Sequence, residues 1–365
     1  MRINRESFLH DLESVEPGLS KREIVEQSSC YVFQNGRILT YNDEIACRIK
    51  GPFAKDFTGA VPHEPLLNIL RKLAEEEIEV SNGDGELLIG GKARRAGIRM
   101  EAEVNLPIAN VELPKTWREL PAEFADAVRM VQHCASTDDS QFHLTCLHLH
   151  PDWIEACDNY QICRWNLKTG VEKSLLVRQS AIKHVVSLGM TELAETDAWI
   201  HFRNPKGLIL SCRRYAEDFP DLTKFLRVDG TPTTLPKGLV EAAEKAQIFS
   251  SENPEADRVV IELTNGKLRI KSVGVTGWYR ETKKVVYNGE PLTFRIAPQI
   301  LIDLVKQHND FVLTPDRLKV AGQGNYTYVT CLGKPEGDSQ VPVSQGEAHS
   351  AKPKKRRGDK EEAEK

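Results

Sequence analysis

The sequence is short of the features that would mark a membrane protein, a disulfide scaffold or a common enzyme. No apolar run approaches the roughly 20 residues that span a bilayer, and no secretory leader precedes the first amphipathic stretch. The eight cysteines (30, 47, 134, 146, 157, 163, 212 and 331) include no C-x-x-C pair. That pattern suits scattered buried thiols in a reduced, cytoplasmic protein. There is no Gly-rich phosphate loop, no G-x-S-x-G and no H-E-x-x-H, so an enzyme is not expected and no cofactor is implied. The adjacent Asp138 and Asp139 read as a solvated turn rather than an acid–base pair. A surplus of cations is missing too. With 49 Lys and Arg against 53 Asp and Glu, the net charge is −4. This excludes a generally basic DNA-coating chain, though not one that gathers basic residues on one surface.

What is present is ordinary in bulk and regular in detail. The chain has 365 residues, 40% apolar and 28% charged, which fits two or three globular domains. The stretch from Leu120 to Ile162 shows the local unit. Phe124, Val128 and Val131 fall on one helical face, with Pro121 suited to the first turn. Two strands are expected at 142–150 and 153–157, joined by His150-Pro151-Asp152.

The same unit occurs twice more. Leu120 follows Ile3 by 117 residues, and Leu235 follows Leu120 by 115. Phe8, Leu12 and Val15 mark the first helix, and Leu239, Ala243 and Ala246 the third. Asn35-Gly36 and Asn265-Gly266 are hairpin turns at matching places. Each copy then has a second helix, from Pro62, Arg178 and Ala297, followed by another strand pair with Gly or Pro at the turn. Helix, strands, helix, strands, repeated three times, predicts an α+β fold with antiparallel sheets packed against helices on one face. Pro-rich connectors lie at 104–119 and 226–236. The domains are expected at 1–117, 118–232 and 233–333, followed by a disordered charged tail at 334–365. Three units too few for a solenoid, with unlike ends, suit head-to-tail pairing.

Two motifs and the triplication carry a family resemblance. Ala156-Cys157-Asp158-Asn159-Tyr160-Gln161-Ile162 is similar to an A-T-D-G-H-R-L-like strand end, and Phe219-Pro220-Asp221 keeps a second motif intact. Over about residues 1–332 the chain resembles the bacterial sliding clamp, the β subunit of DNA polymerase III. The resemblance implies a head-to-tail homodimeric ring, helices inside and sheets outside. Such a ring encircles double-stranded DNA without catalysis and tethers the polymerase, the clamp loader and repair proteins.

The resemblance also assigns residues. Lys21 and Arg22 match a basic DNA-side loop, and Phe142 and His143 match another. Arg71, Lys72, Arg178, Lys183, Lys237, Lys245 and Lys306 recur on equivalent helices and would attract phosphates without reading sequence. Individually each fits a solvated helix face equally well. Leu144, Cys157, Ile162, Pro220, Lys224, Phe225, Val329 and Cys331 match a partner-peptide cleft between the second and third domains. Several depart from the family: Cys157 replaces a Thr, Lys224 an Arg and Phe225 a smaller aliphatic residue. The usual M-P-M ending is Cys331-Leu332-Gly333. These departures leave the peptide preference open and are those expected of a divergent member, host- or phage-encoded. Ile98 and Met100 are expected to meet Ile248 and Phe249 at the dimer interface, although both pairs also suit internal core.

Rival readings remain in view. His133, Cys134, His143, Cys146, His148, His150, Cys157 and Cys163 crowd one segment, but match no zinc-finger spacing; no metal is expected. A monomeric interaction adaptor that does not encircle DNA would use the same three domains. In the tail, Lys352, Lys354, Lys355, Arg356 and Arg357 either add DNA affinity or merely solubilise. The acidic block that follows favours the second.

Overall fold

The structure, a computed structural model, describes residues 1–91, 93–252, 257–322 and 324–334. The expected disordered tail lies outside the described residues from 335 onward. Among the described residues, one order of elements occurs three times: strand, helix, four strands, helix, three strands. The first unit holds β1 (Arg2–Asn4), α1 (Arg5–Val15), β2 (Cys30–Gln34), β3 (Arg37–Tyr41), β4 (Ile45–Lys50), β5 (Gly59–Pro62), α2 (His63–Lys72), β6 (Glu77–Gly83), β7 (Glu86–Gly90) and β8 (Arg95–Arg99). The second holds β9 (Arg118–Glu119), α3 (Phe124–Val131), β10 (Cys146–His150), β11 (Trp153–Cys157), β12 (Gln161–Asn166), β13 (Leu175–Arg178), the short helices α4 (Gln179–Ile182) and α5 (His184–Ser187), β14 (Glu192–Glu195), β15 (Trp199–Arg203) and β16 (Ile209–Tyr215). The third holds β17 (Thr231–Thr234), α6 (Leu239–Ser250), β18 (Val259–Thr264), β19 (Lys267–Val273), β20 (Trp278–Lys284), β21 (Leu292–Ile296), α7 (Pro298–Gln307), β22 (Asp310–Leu313), β23 (Arg317–Val320) and β24 (Tyr326–Cys331).

Local chemistry explains the elements. The Asn4 side chain caps α1 by accepting from the Ser7 amide at 2.9 Å, and Phe8, Leu12 and Val15 are the buried stripe. Pro298 starts α7, where its missing N–H is not needed. Asn35 and Gly36 both take positive φ, 54° and 69°, which joins β2 to β3 by a two-residue turn whose twist suits the strands. In the second unit the later helix breaks at Lys183 into two single turns. Its β-branched Ile182, Val185 and Val186 give it little helical propensity.

Other expectations shift. Residues 139–145 form a 3₁₀ segment capped by Asp138, so the strand expected from 142 starts at Cys146. Both connectors contain the first strand of the next unit, β9 and β17. Because Thr231–Thr234 pairs with Asp310–Leu313, the border expected at 232 falls inside β17, and the third unit begins at about residue 230.

Each unit makes two four-stranded ladders. In the first unit these are β1-β6-β7-β8 and β5-β2-β3-β4. Between units the ladders fuse in one consistent way. β4 pairs antiparallel with β16, and β12 pairs antiparallel with β24. The fourth strand of one unit thus joins the eighth strand of the next. The helices pack on one face of the sheets over one contiguous apolar core. On the other face, connectors cover two smaller clusters. Leu106, Ile108 and Val111 seal one near Trp199, held by the Arg48 guanidinium donating to the Ile108 and Val111 carbonyls at 2.8 Å. Leu222, Leu226 and Val228 seal the other.

The strand next to β16 contains a pH-sensitive group. His201 on β15 is fully buried, with ring nitrogens 2.7 Å from Ser211 Oγ and 3.0 Å from Thr196 Oγ1. Burial, aided by nearby Arg48, holds its imidazole down at about 4. An unfolded chain takes up that proton near pH 6.5, so His201 adds stability above that pH and loses it as pH falls toward 4. Urea midpoints should therefore drop between pH 6.5 and 4. A His201→Gln chain should show a flatter profile, by at most roughly 3 kcal/mol. Parallel profiles for the two chains would assign the acid sensitivity elsewhere.

Candidate nucleic-acid interface and partner cleft

The helix layer is the first surface to consider, since the sequence places its basic residues there. Lys21, Arg22, Lys72, Lys183, Lys237 and Lys245 are exposed, with no carboxylate in ion-pair range among the described residues. The others are committed. Arg71 binds Glu13 at 2.9 Å and Lys306 binds Glu244 at 3.3 Å. Arg178 is half-buried between Asp139 at 2.6 Å and Glu44 at 3.3 Å, bridging the first and second units. Phe142, expected in a DNA-side loop, is half-buried. It packs edge-on against Tyr215 at 4.6 Å, with the Arg178 guanidinium over its face at 4.8 Å. Its neighbour His143 is half-buried.

The charge of the whole layer follows. Its cations are Arg5, Arg71, Lys72, Arg129, Lys183, Lys245 and Lys306. The carboxylates within the helices are Glu6, Asp11, Glu13, Glu64, Asp126, Glu241, Glu244 and Asp303, while Lys21, Arg22, Arg178 and Lys237 add cations that flank the helices. Arg5 is spent on Glu6 and on the carbonyls of Leu70 and Glu75, and Arg129 on Asp126. At the second seam, the helix side opens into a cavity of about 410 Å³. His133, Gln161, Gln299, Asp303, Gln307 and His308 line it, with no Lys or Arg.

The opposite face of the second seam holds the cleft. Leu144, Cys157 and Val329 are buried together, with Ile162 packed beside them. Burial pushes the Cys157 thiol up to about 12, so this wall stays uncharged. Pro220, Lys224, Phe225 and Cys331 lie at the surface. Phe225 is 51% exposed, and the Arg317 guanidinium stands 5.9 Å from its ring centre. A further cavity of about 240 Å³ is lined by Tyr160, Arg258, Ile296, Ile300, Cys331 and Leu332, and shares Cys331 with the cleft residues. The Arg258 guanidinium lies over the Tyr160 ring at 5.0 Å. Sequence reading quoted Phe219 as part of a motif without assigning it to the cleft, and missed Leu222, Leu226 and Val228; these four supply much of the apolar cluster. The signal was there: Leu222 and Leu226 are four residues apart, and the Leu226 amide donates to the Leu222 carbonyl at 3.1 Å in one helical turn.

A polar cluster buttresses this cleft. Glu155, 2% exposed, lies between His148 and Arg164 on the neighbouring strands. Its carboxylate accepts from Arg164 Nε at 2.7 Å and Nη2 at 2.6 Å. It also accepts from Trp153 Nε1 at 2.9 Å, and lies 2.7 Å from His148 Nδ1. The His148 ring then packs on Phe219 at 4.9 Å. The His and Cys residues of this segment are dispersed in such contacts. Among the described residues no group of three or more could hold a metal, and no helix is long and apolar enough to cross a membrane.

Among the described residues, β8 and β20 lack the inter-unit pairing that joins β4 to β16 and β12 to β24, and each ends its own four-stranded sheet. Around β20, Ile248, Val273, Val275 and Trp278 are 60% exposed or more, and Phe249 is half-buried near Gly277. Ile98 and Met100 differ from expectation. They are 7% and 4% exposed and belong to the first unit's own core, because the inward pleat of β8 faces that core. What β8 offers outward is its backbone edge with Arg95, Gly97 and Arg99.

No protein-family model and no curated protein sequence matches the chain. Solved structures do. The DNA polymerase III subunit β of Pseudomonas aeruginosa is similar with TM-score 0.79 and 17% identity, over 92% of this chain and 100% of that one. The β chain of Streptococcus pneumoniae gives 0.80 and 15%, over 92% and 99%. A sliding clamp of Bartonella birtlesii, solved bound to griselimycin, gives 0.82 and 15%, over 92% and 99%. With its threefold repeat and fused outer sheets, the chain has the fold of the DNA polymerase III β sliding clamps.

Proposed function

We propose that this chain is a DNA sliding clamp. Two copies close head to tail around duplex DNA and act as a processivity factor for a replicative DNA polymerase, in the cytoplasm and without catalysis of their own. The observation that carries this is the state of the sheet edges. Twice within the chain, the fourth strand of a unit pairs with the eighth strand of the next. Among the described residues, the fourth strand of the last unit, β20, and the eighth strand of the first, β8, are the fourth and eighth strands left without such a partner. A second copy would complete both pairings by the rule already used inside the chain, which closes the assembly and removes its edges. Duplex DNA would then run along the helix layer. Polymerase and loader segments would dock on the outer cleft through a short apolar peptide, with Phe225 and Arg317 at its mouth and Arg258 beside it.

The test is topological. Protein reassembled from monomers in the presence of a nicked plasmid should co-elute with the circle at high salt and leave when the plasmid is linearised. Equal retention on circular and linear DNA, or a monomeric mass under assembly conditions, would leave the adaptor reading in its place.

A further inference from the structure

We infer that the outward face of the sheet β20-β19-β18-β21 is a docking surface for single-stranded nucleic acid, held through its phosphates. The face lies on the side of the sheet away from α6, so it is separate from the helix layer, and one chain supplies all of it. It therefore stands apart from the clamp reading.

The pleat sets the composition of this face. Ile261, Leu263, Leu268 and Ile270 turn inward and are buried with α6. The alternate positions turn outward. On β19 these are Lys267, Arg269 and Lys271, and on β20 Arg280, Thr282 and Lys284. β18 adds Val260, Glu262 and Thr264, and β21 adds Thr293 and Arg295. Glu262 is thus the one carboxylate at these outward positions, and Arg269, at 3.1 Å, and Lys271 already share it. Lys267, Arg280 and Lys284 are exposed, with no carboxylate in ion-pair range among the described residues. The register puts Lys267 directly opposite Lys284, and Lys271 directly opposite Arg280. Directly opposed like charges destabilise a sheet, so folding does not account for two such pairs on one face.

The corresponding strands of the other units are built differently. In the first unit Val32, Leu39, Tyr41 and Ala46 lie under the connector residues Leu106, Ile108 and Val111. In the second, Cys157 and Ile162 lie under Leu222 and Leu226. In the third, cations replace that apolar cover site. Successive outward residues on a strand are about 6.8 Å apart and neighbouring strands about 4.8 Å, so β19 and β20 form a regular ladder of charge. A nucleic-acid strand carries one charge per repeat, and Lys and Arg hold its phosphates without reading bases. Thr264 and Thr282 offer hydroxyls to the same oxygens. A protein partner fits less well, because Lys is depleted in protein interfaces and binding there needs an apolar anchor. Within the ladder only Val260 is apolar; Val273 and Trp278 lie at its end, where the joint is proposed. A duplex meets a flat sheet along one line, whereas a single strand can follow both rows.

Fluorescence anisotropy of a labelled oligothymidylate compares the full chain with a full-length variant carrying Lys267→Gln, Arg280→Gln and Lys284→Gln. Ile248, Val273 and Trp278 are unchanged in both. At low salt the variant should bind at least about 100-fold more weakly. Its slope of log K against log salt should be shallower by roughly 2, about 0.7 for each of three lost phosphate contacts. Its urea midpoint should equal or exceed that of the parent chain, because both like-charge pairs are relieved. A lower midpoint alongside weaker binding would assign these side chains to folding and overturn the inference. Unchanged slope and affinity would overturn it too, as would an equal loss on a duplex of the same length, or tighter binding of the parent chain to polyglutamate than to the oligonucleotide. Retention on a nicked circle is read separately. Release of both chains from the circle defeats the clamp reading and leaves the anisotropy result standing.

Discussion

Replacing Ile248 and Trp278 together by Asp should leave the chain folded and monomeric, with its dimer affinity reduced at least about 100-fold. The two side chains are 64% and 60% exposed, and they share the β20 end with Val273 at 63% and Val275 at 87%. An apolar surface of that density is rare on a chain that functions alone. Because neither side chain supports the third unit's core, the substitutions cost that unit little, and far-UV circular dichroism should not change. At the interface they act twice. They remove apolar area, and they bring carboxylates to a joint where burial of a charge without a partner is costly. Sedimentation equilibrium reads the outcome directly. Loss of the dimer should come with loss of retention on a nicked circle. A double variant that still sediments as a dimer would show that the chain joins elsewhere.

The repeat was legible because helix and strand periodicities survive where identities do not. Phe8, Leu12 and Val15 in α1, and Leu301, Leu304 and Val305 in α7, keep one buried stripe, and a turn such as Asn35-Gly36 names its own geometry. The pairing of β4 with β16 and of β12 with β24 was not legible. Register between distant strands depends on which edges are left uncovered, and no local pattern records that. Ile98 and Met100 show the same limit on a smaller scale. An apolar residue on an edge strand belongs to the core or to a partner according to the pleat, and a shift of one residue reverses the answer. Basic residues were visible but their partners were not. Arg71 and Glu13 are 58 positions apart, and Arg178 and Glu44 are 134 apart; both pairs form only after folding. Recurrence of cations on equivalent helices therefore does not say which of them are ion-paired.

Removing the Glu155 carboxylate should be the most destabilising single change in the second unit. Glu155→Ala should lower unfolding free energy by roughly 3–5 kcal/mol, because it leaves the Arg164 guanidinium, 12% exposed, without its counter-charge in the sheet. Trp153 loses its acceptor at the same step, and His148 loses the group that holds its ring against Phe219. Glu155→Gln keeps the shape and one acceptor oxygen, so its cost should be smaller, roughly 1–3 kcal/mol. The double change Glu155→Leu with Arg164→Leu should recover much of the loss, since no charge is then stranded. Chemical denaturation of the four chains separates the terms. The cleft should respond as well. His148 supports Phe219, and Phe219 leads into the turn from Leu222 to Leu226 that closes the apolar cluster. Glu155→Ala should therefore weaken capture of a short apolar peptide even below the temperature at which the unit melts, whereas the double Leu chain, with His148 still unanchored, should regain stability without regaining peptide affinity. A cost under about 1 kcal/mol for Glu155→Ala would mean that water or another group replaces the carboxylate, and that the cleft is supported from elsewhere.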